Sequence, residues 1–363
     1  TTLFRSAGSS SRIVTLRSAT PGSTWYFENN CGITTADYLD VKDSYNTNHA
    51  TANIVATNSI DSGNNTGWDF ATSPLATNNW IADTDSNWNN TANWSAGHVP
   101  TSAERAYFNS SHLGNCNIDT TVNVLGLLIS DYSGTITQNS NSITIGTSAF
   151  TQNSGTFAGG DGAINFSGDG SDLVINGGTH TTTSGTLTLG TVSDFIHTAG
   201  TFSHNGGTVY FVGYASSINV PTTVTFNNLT FNGNNGDRTF TIASGDTIIV
   251  NGTLIFIRGI VNNGTIDLNG TLVSSSTFEG GSAKILIDDG QTVNISDGWV
   301  LPSINLQNGT LNAPEGGTVT LGRLPSLTIG TNGTFNHNNG TVIFIGYASS
   351  INVPTTVTFN NLT

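Results

Sequence analysis

Paired acids are the first residues in this chain that invite a chemical reading. Asp161, Asp169 and Asp172 fall in the stretch GGDGAINFSGDGSD, and Asp288 and Asp289 stand side by side. In a groove, two carboxylates can divide the roles of general acid and general base on a polysaccharide. Lyase chemistry would also want a cation nearby, and no Lys or Arg lies between Arg105 and Arg238. Alternating Gly and Asp at chain corners is the simpler account of the first group, because both residues suit tight turns. Carboxylate oxygens on such turns can also take Ca2+, so Asp161, Asp169 and Asp172 are the candidate cation ligands. Their Gly-Asp pattern does not recur in the register of a calcium-binding nonapeptide repeat.

Trp68, Trp80, Trp88 and Trp94 crowd into a short polar stretch. Exposed indole planes stack on sugar rings, which makes these four the candidate carbohydrate-binding residues. The competing role is a plug that gives an otherwise polar loop its core. His98, His112 and Cys116 are soft-metal ligand types, but their spacing matches no standard zinc pattern. His204 and His337 occupy equivalent places in an internal repeat, where stacking at a corner explains them. No Gly-x-Ser-x-Gly elbow supports a serine nucleophile, and no catalytic residue is assigned. Thr-x-Thr triplets stand at Thr135–Thr137, Thr186–Thr188 and Thr318–Thr320. A flat ladder of such triplets can bind ice; their uneven spacing along the sequence favours plain β propensity instead. The two cysteines, Cys31 and Cys116, can pair with each other, pair across subunits, or remain buried thiols. Fourteen Asn-x-Ser/Thr sequons occur, among them Asn64, Asn93, Asn228, Asn251 and Asn361, and six are Asn-Gly-Thr, which turn chemistry alone would generate.

The elements that must position these residues are strands. From Gly245 the chain reads GDTIIV, NGTLIFIRG, IVNNGTIDL, NGTLVSSS. Each run alternates apolar and polar residues and ends at Gly or Asn-Gly, which turn the chain sharply without strain. Helical periodicity is almost absent. Antiparallel hairpins fit this grammar, and so does a coil whose strands each pair with the turn below. A sandwich needs longer connections than these. The unbroken rhythm from Cys116 to Thr363 favours an all-β fold, a parallel β-helix (β-solenoid) with no significant helix.

Composition narrows the partners. The 363 residues carry a formal net charge of -14 with only nine Lys and Arg, and charged residues make up 9%. So few cations argue against nucleic acid and against an anionic membrane surface. No apolar run is long enough to span a bilayer. Disorder is also excluded, because 36% of the residues are hydrophobic and fall in β-branched and aromatic runs. Met is absent and no signal-peptide pattern opens at Thr1, which reads as a mature product or a fragment of something longer.

An internal repeat supports the solenoid. Gly200 to Thr230 returns at Gly333 to Thr363, an offset of 133 residues, with four differences over 31 positions. Such a period is too long for one coil, so the repeating object is a block of several coils. The second copy stops where the first continues into Phe231. An uncapped end exposes strand edges, so further repeats of the same chain or copies of itself are the expected partners there.

On this pattern the chain divides into three parts. Residues 1–70 are the closing coils of a preceding β-solenoid block, 71–104 a Trp- and Asn-rich junction, and 105–363 a parallel β-helix with the repeat at 200–230 and 333–363. NWNNTANWSAGHVPTSAERAYFN, from Asn87 to Asn109, resembles the entry segment of β-helical passenger and adhesin-like regions in large bacterial surface proteins. LRSATPGSTWYF, DVKDSYNTNHA and DSGNNTGWDF resemble the closing coils of a preceding module in such proteins, and GTF, GTV and FNNLT resemble their coil repeats. The resemblance implies an exported structural or adhesive module, extracellular or at the cell surface; surface glycans are further candidate partners. It brings no catalytic residue and no cofactor; Ca2+ remains the one cation to test. The alternative function is a carbohydrate-binding or carbohydrate-active β-helix.

Overall fold

The computed structural model describes residues 14–363 apart from 21–22, 28–34, 38, 48–52, 58, 70–75, 83, 235–237, 347 and 355. The chain is an all-β, parallel β-solenoid of about 14 turns with essentially no helix. Each turn has three sides. On the first side, strands such as Glu104–Phe108, Gly126–Ile129, Phe150–Gln152 and Leu173–Ile175 pair in parallel from coil to coil. The second side begins with Cys116–Asn117, Thr135–Thr137, Thr156–Ala158, Thr179–Thr181 and Thr201–Ser203. The third carries Val122–Val124, Ile143–Ile145, Ile164–Phe166, Thr186–Leu189 and Thr208–Val212.

Successive residues of a strand point to opposite faces, so a stacked ladder sorts side chains into columns. One interior column of the third side runs Val124, Ile145, Phe166, Leu189, Phe211, Phe231, Phe256. Its rings stack nearly parallel, with centroids 5.5 Å apart for Phe211 and Phe231 and 5.8 Å for Phe231 and Phe256. Each fully buried Phe or Leu removes enough apolar surface from water to favour folding by about 1.5–3 kcal/mol. Corners fall where Gly or Asn adopts positive φ, as at Asn139, Gly155, Gly178 and Asn205.

The 133-residue block is not a whole number of coils. The SSIN strand Ser216–Asn219 lies on the first side, whereas its repeat Ser350–Asn352 closes the second-side ladder that starts at Thr223–Phe226. The block therefore traverses six coils and one further side. Short coils make room for the extra side: on the second side Ile248, Ile266, Ile285 and Ile304 follow one another at 18, 19 and 19 residues, against 24 from Val224 to Ile248. In the first of these coils the ten-residue strand Thr253–Asn262 serves the third side with its first half and the first side with its second. Gly259, at φ +101°, lets the chain pass that corner, and a Cβ there would sit 2.8 Å from the Arg238 carbonyl oxygen.

The main solenoid starts earlier than Arg105. Strand Ala76–Asn79 pairs in parallel with Glu104–Phe108 and forms the first rung, so part of the expected 71–104 junction belongs to the solenoid. Asn78 makes this possible, for its buried amide donates to the His98 carbonyl at 2.7 Å and accepts from the Ala96 amide at 3.0 Å. Before it, residues 14–69 form short parallel ladders around a separate small cluster of Ala36, Leu39, Val41 and Ile54. Among the described residues, no helix is long and apolar enough to cross a membrane.

Candidate functional site

The four tryptophans do not form one sugar-facing surface. Trp80, Trp88 and Trp94 are closed to solvent, at 0%, 1% and 1% exposure. Their rings meet edge to face, with centroids 5.1 Å apart for Trp80 and Trp94 and 4.7 Å for Trp88 and Trp94, and Phe108 packs against all three. Two indole N–H groups find carbonyls inside: Trp80 donates to Gly114 at 2.9 Å and Trp94 to Trp88 at 2.7 Å. Asn93 locks the loop around them, donating to Asp85 Oδ1 at 2.8 Å and to the Asn87 carbonyl at 2.9 Å. The three form an aromatic plug on the first coil. Trp68 lies apart in the small cluster before it, half-buried against Phe27, with its indole N–H on Ser44 Oγ at 2.9 Å. Asn93 is fully buried, so that sequon offers no free amide in the folded chain.

The proposed cation ligands are also dispersed. Asp161 stands exposed at the corner before strand Ile164–Phe166, and Asp169 stands exposed at the corner after it. Asp172 is buried and braces the backbone of the next coil, where its Oδ1 accepts the Asp194 amide at 2.9 Å. Asp194 repeats the device one coil on, accepting the Ser217 amide at 2.6 Å, and burial pushes its carboxyl pKa upward. Among the described residues, no three His, Cys, Asp or Glu side chains gather as a metal-binding group.

Asp288 and Asp289 acquire a neighbour that the linear sequence hides. Asp267, on strand Thr265–Leu268 one rung earlier, has its pKa raised by burial first and then by the charges of Asp288 and Asp289. Only coil length reveals the relation, since the three acids stand about one turn apart along the chain. His98 pairs with Glu104 at 3.0 Å. Partial burial opposes ionisation of Glu104, but the Thr101 amide and hydroxyl and then His98 outweigh it and hold the carboxyl below its usual range. Cys116 carries a free thiol buried in the first coils, and burial, followed by Asp119, pushes its pKa well up. Among the described residues it has no disulfide partner, and its side chain lies in the interior; Cys31 lies outside the described residues. His204 and His337 keep the same local geometry in both repeat copies, each Nδ1 accepting the amide two residues on, at 2.9 and 3.1 Å.

A buried histidine that the sequence pattern did not single out lies inside the second side. His180 is 1% exposed and stacks between Phe157 and Phe202, with centroids 5.0 and 6.0 Å away. Its Nδ1 meets Gln152 Oε1 at 2.8 Å, while Nε2 has no hydrogen-bond partner among the described residues. Burial, with a smaller contribution from His197, pushes its pKa down to about 3. Its only signal in the sequence is the triplet Thr179-His180-Thr181, where an apolar residue was due.

A double column of like groups stands on the outside of that same side. Thr135, Thr156, Thr179 and Thr201 stack in one column, and Thr137, Ala158, Thr181 and Ser203 in the next. Uneven spacing in the sequence conceals this register, because the corner lengths differ while the strands align. All eight side chains are exposed or half-buried. No family profile, no curated protein and no solved structure matches the chain.

Proposed function

We propose that this chain is a rigid structural module, a stalk, adhesin or filament segment that works outside the cell. The observation that supports this reading is the continuous interior of the solenoid, in which aromatic and branched side chains stack in register across parallel ladders. A force along the axis loads the several ladder hydrogen bonds between neighbouring coils together, so the main solenoid shares tension across each rung. About 14 turns at a strand spacing of roughly 4.8 Å make a rod about 65 Å long. In this reading the surface of polar, uncharged Thr, Asn and Ser resists proteolysis and needs no cofactor. Copies of the chain, further repeats, or surface glycans are its partners.

Electron microscopy of the purified chain tests the shape, with rods of that length expected and compact particles contradicting it. Assays for sugar release from anionic and neutral polysaccharides test the role. Activity lost on Asp288→Asn or Asp161→Asn would replace the structural reading with a carbohydrate-active one.

A further inference from the structure

We infer that the second side of the solenoid, over the strands Thr135–Thr137, Thr156–Ala158, Thr179–Thr181 and Thr201–Ser203, is an ice-binding face. Six of its eight outward positions are Thr, one is Ser and one is Ala, and none is charged. The ladder runs through all four strands without a bulge, whereas the third-side ladder slips at Phe231 and Asn232.

Parallel pairing sets neighbouring strands about 4.8 Å apart, and alternate residues along a strand about 6.6 Å apart. Threonine is stiff at χ1, so both its hydroxyl and its methyl repeat on that grid. Oxygens on prism faces of hexagonal ice repeat at spacings close to these in two perpendicular directions. The methyl groups hold neighbouring water in an ordered net, and the hydroxyls anchor that net to the protein. Among the described residues, none of the six Thr hydroxyls hydrogen-bonds to a protein group, so all are available to water. Beneath them, the interior column of Ile136, Phe157, His180 and Phe202 supplies a stiff platform.

Over the same coils the other two sides lack a double threonine column. Threonines do align farther along the third side, Thr253 with Thr271, and Thr292 and Thr310 with Thr334, but the accompanying column there reads Ile255, Val273, Asn294, Asn312 and Asn336. Outward residues at the strand centre read Thr144, Asn165, Thr188, Tyr210 on the third side and Leu128, Thr151, Val174, Ile196 on the first. An uncharged, two-dimensional hydroxyl and methyl grid suits an uncharged water lattice better than a charged polymer. Crystalline polysaccharide is the competing occupant.

The test is thermal hysteresis and crystal shaping by the full purified chain, read by nanolitre osmometry. Faceted crystals and a measurable hysteresis gap are expected. Thr156→Tyr and Thr179→Tyr should each abolish the gap with circular dichroism and melting temperature unchanged, and Thr188→Tyr on the third side should leave it intact. Should a tyrosine variant unfold, Thr179→Lys places a solvated charge on the face and gives the same readout. Absence of hysteresis in the folded chain overturns the inference. So does equal loss in Thr188→Tyr, and so does binding to crystalline cellulose or chitin without arrest of ice growth. None of these outcomes bears on the rod shape, which microscopy tests separately.

Discussion

His180 shows how one polar side chain can be held in a stack of phenyl rings. Its neutral ring is close in shape to its neighbours Phe157 and Phe202, and Gln152 satisfies one nitrogen. The unfolded chain binds a proton near pH 6.5, while the folded chain resists it down to about pH 3. Between those values the unfolded state holds more protons, so stability is complete above pH 6.5 and falls as pH drops toward 3. The loss reaches roughly 5 kcal/mol at the acid end. Denaturant melts across this range should show that slope, and His180→Phe should flatten it. At the plug, Trp94→Ala leaves a cavity against Trp80, Trp88 and Phe108 and should cost about 3–5 kcal/mol in equilibrium unfolding. The Cys116 thiol should react with a disulfide reagent only on the timescale of unfolding, because its thiolate is disfavoured and the atom is enclosed.

Strands and corners were the legible part of this molecule. Runs such as Thr247–Val250 and Thr253–Leu254 announce themselves by alternation and by the Asn-Gly that follows or precedes them. What stayed hidden is set by the third dimension. Ala76–Asn79 reads as polar text, yet it is a rung because Asn78 finds buried partners. Asp172 reads as a turn residue, yet it braces the next coil. The threonine columns are invisible until corners of different length are laid over one another. At this scale the informative change is Gly259→Ala. A side chain there enters a left-handed conformation and meets the Arg238 carbonyl, so a loss of roughly 1–3 kcal/mol is expected in thermal unfolding.

Two apolar clusters divide the whole molecule. The main solenoid buries one long core, whereas among the described residues of 14–69 the separate cluster has Ala36, Leu39, Val41 and Ile54 as its buried members, with Val14, Leu16, Trp25, Phe27 and Trp68 half-buried against them. So small a core should give way first. Calorimetry should resolve a weak early transition, removed by Val41→Asp, ahead of a large cooperative one that this variant leaves in place.

Six coils and one further side per block make the repeat a screw. Each 133-residue block hands the next copy of its motif to a flank rotated by a third of a revolution. Tandem copies would wind their identical corners around the shaft like the thread of a bolt, returning to the starting azimuth after three blocks. A surface docked at one copy would then leave the following copies facing away from it, free to grip something else.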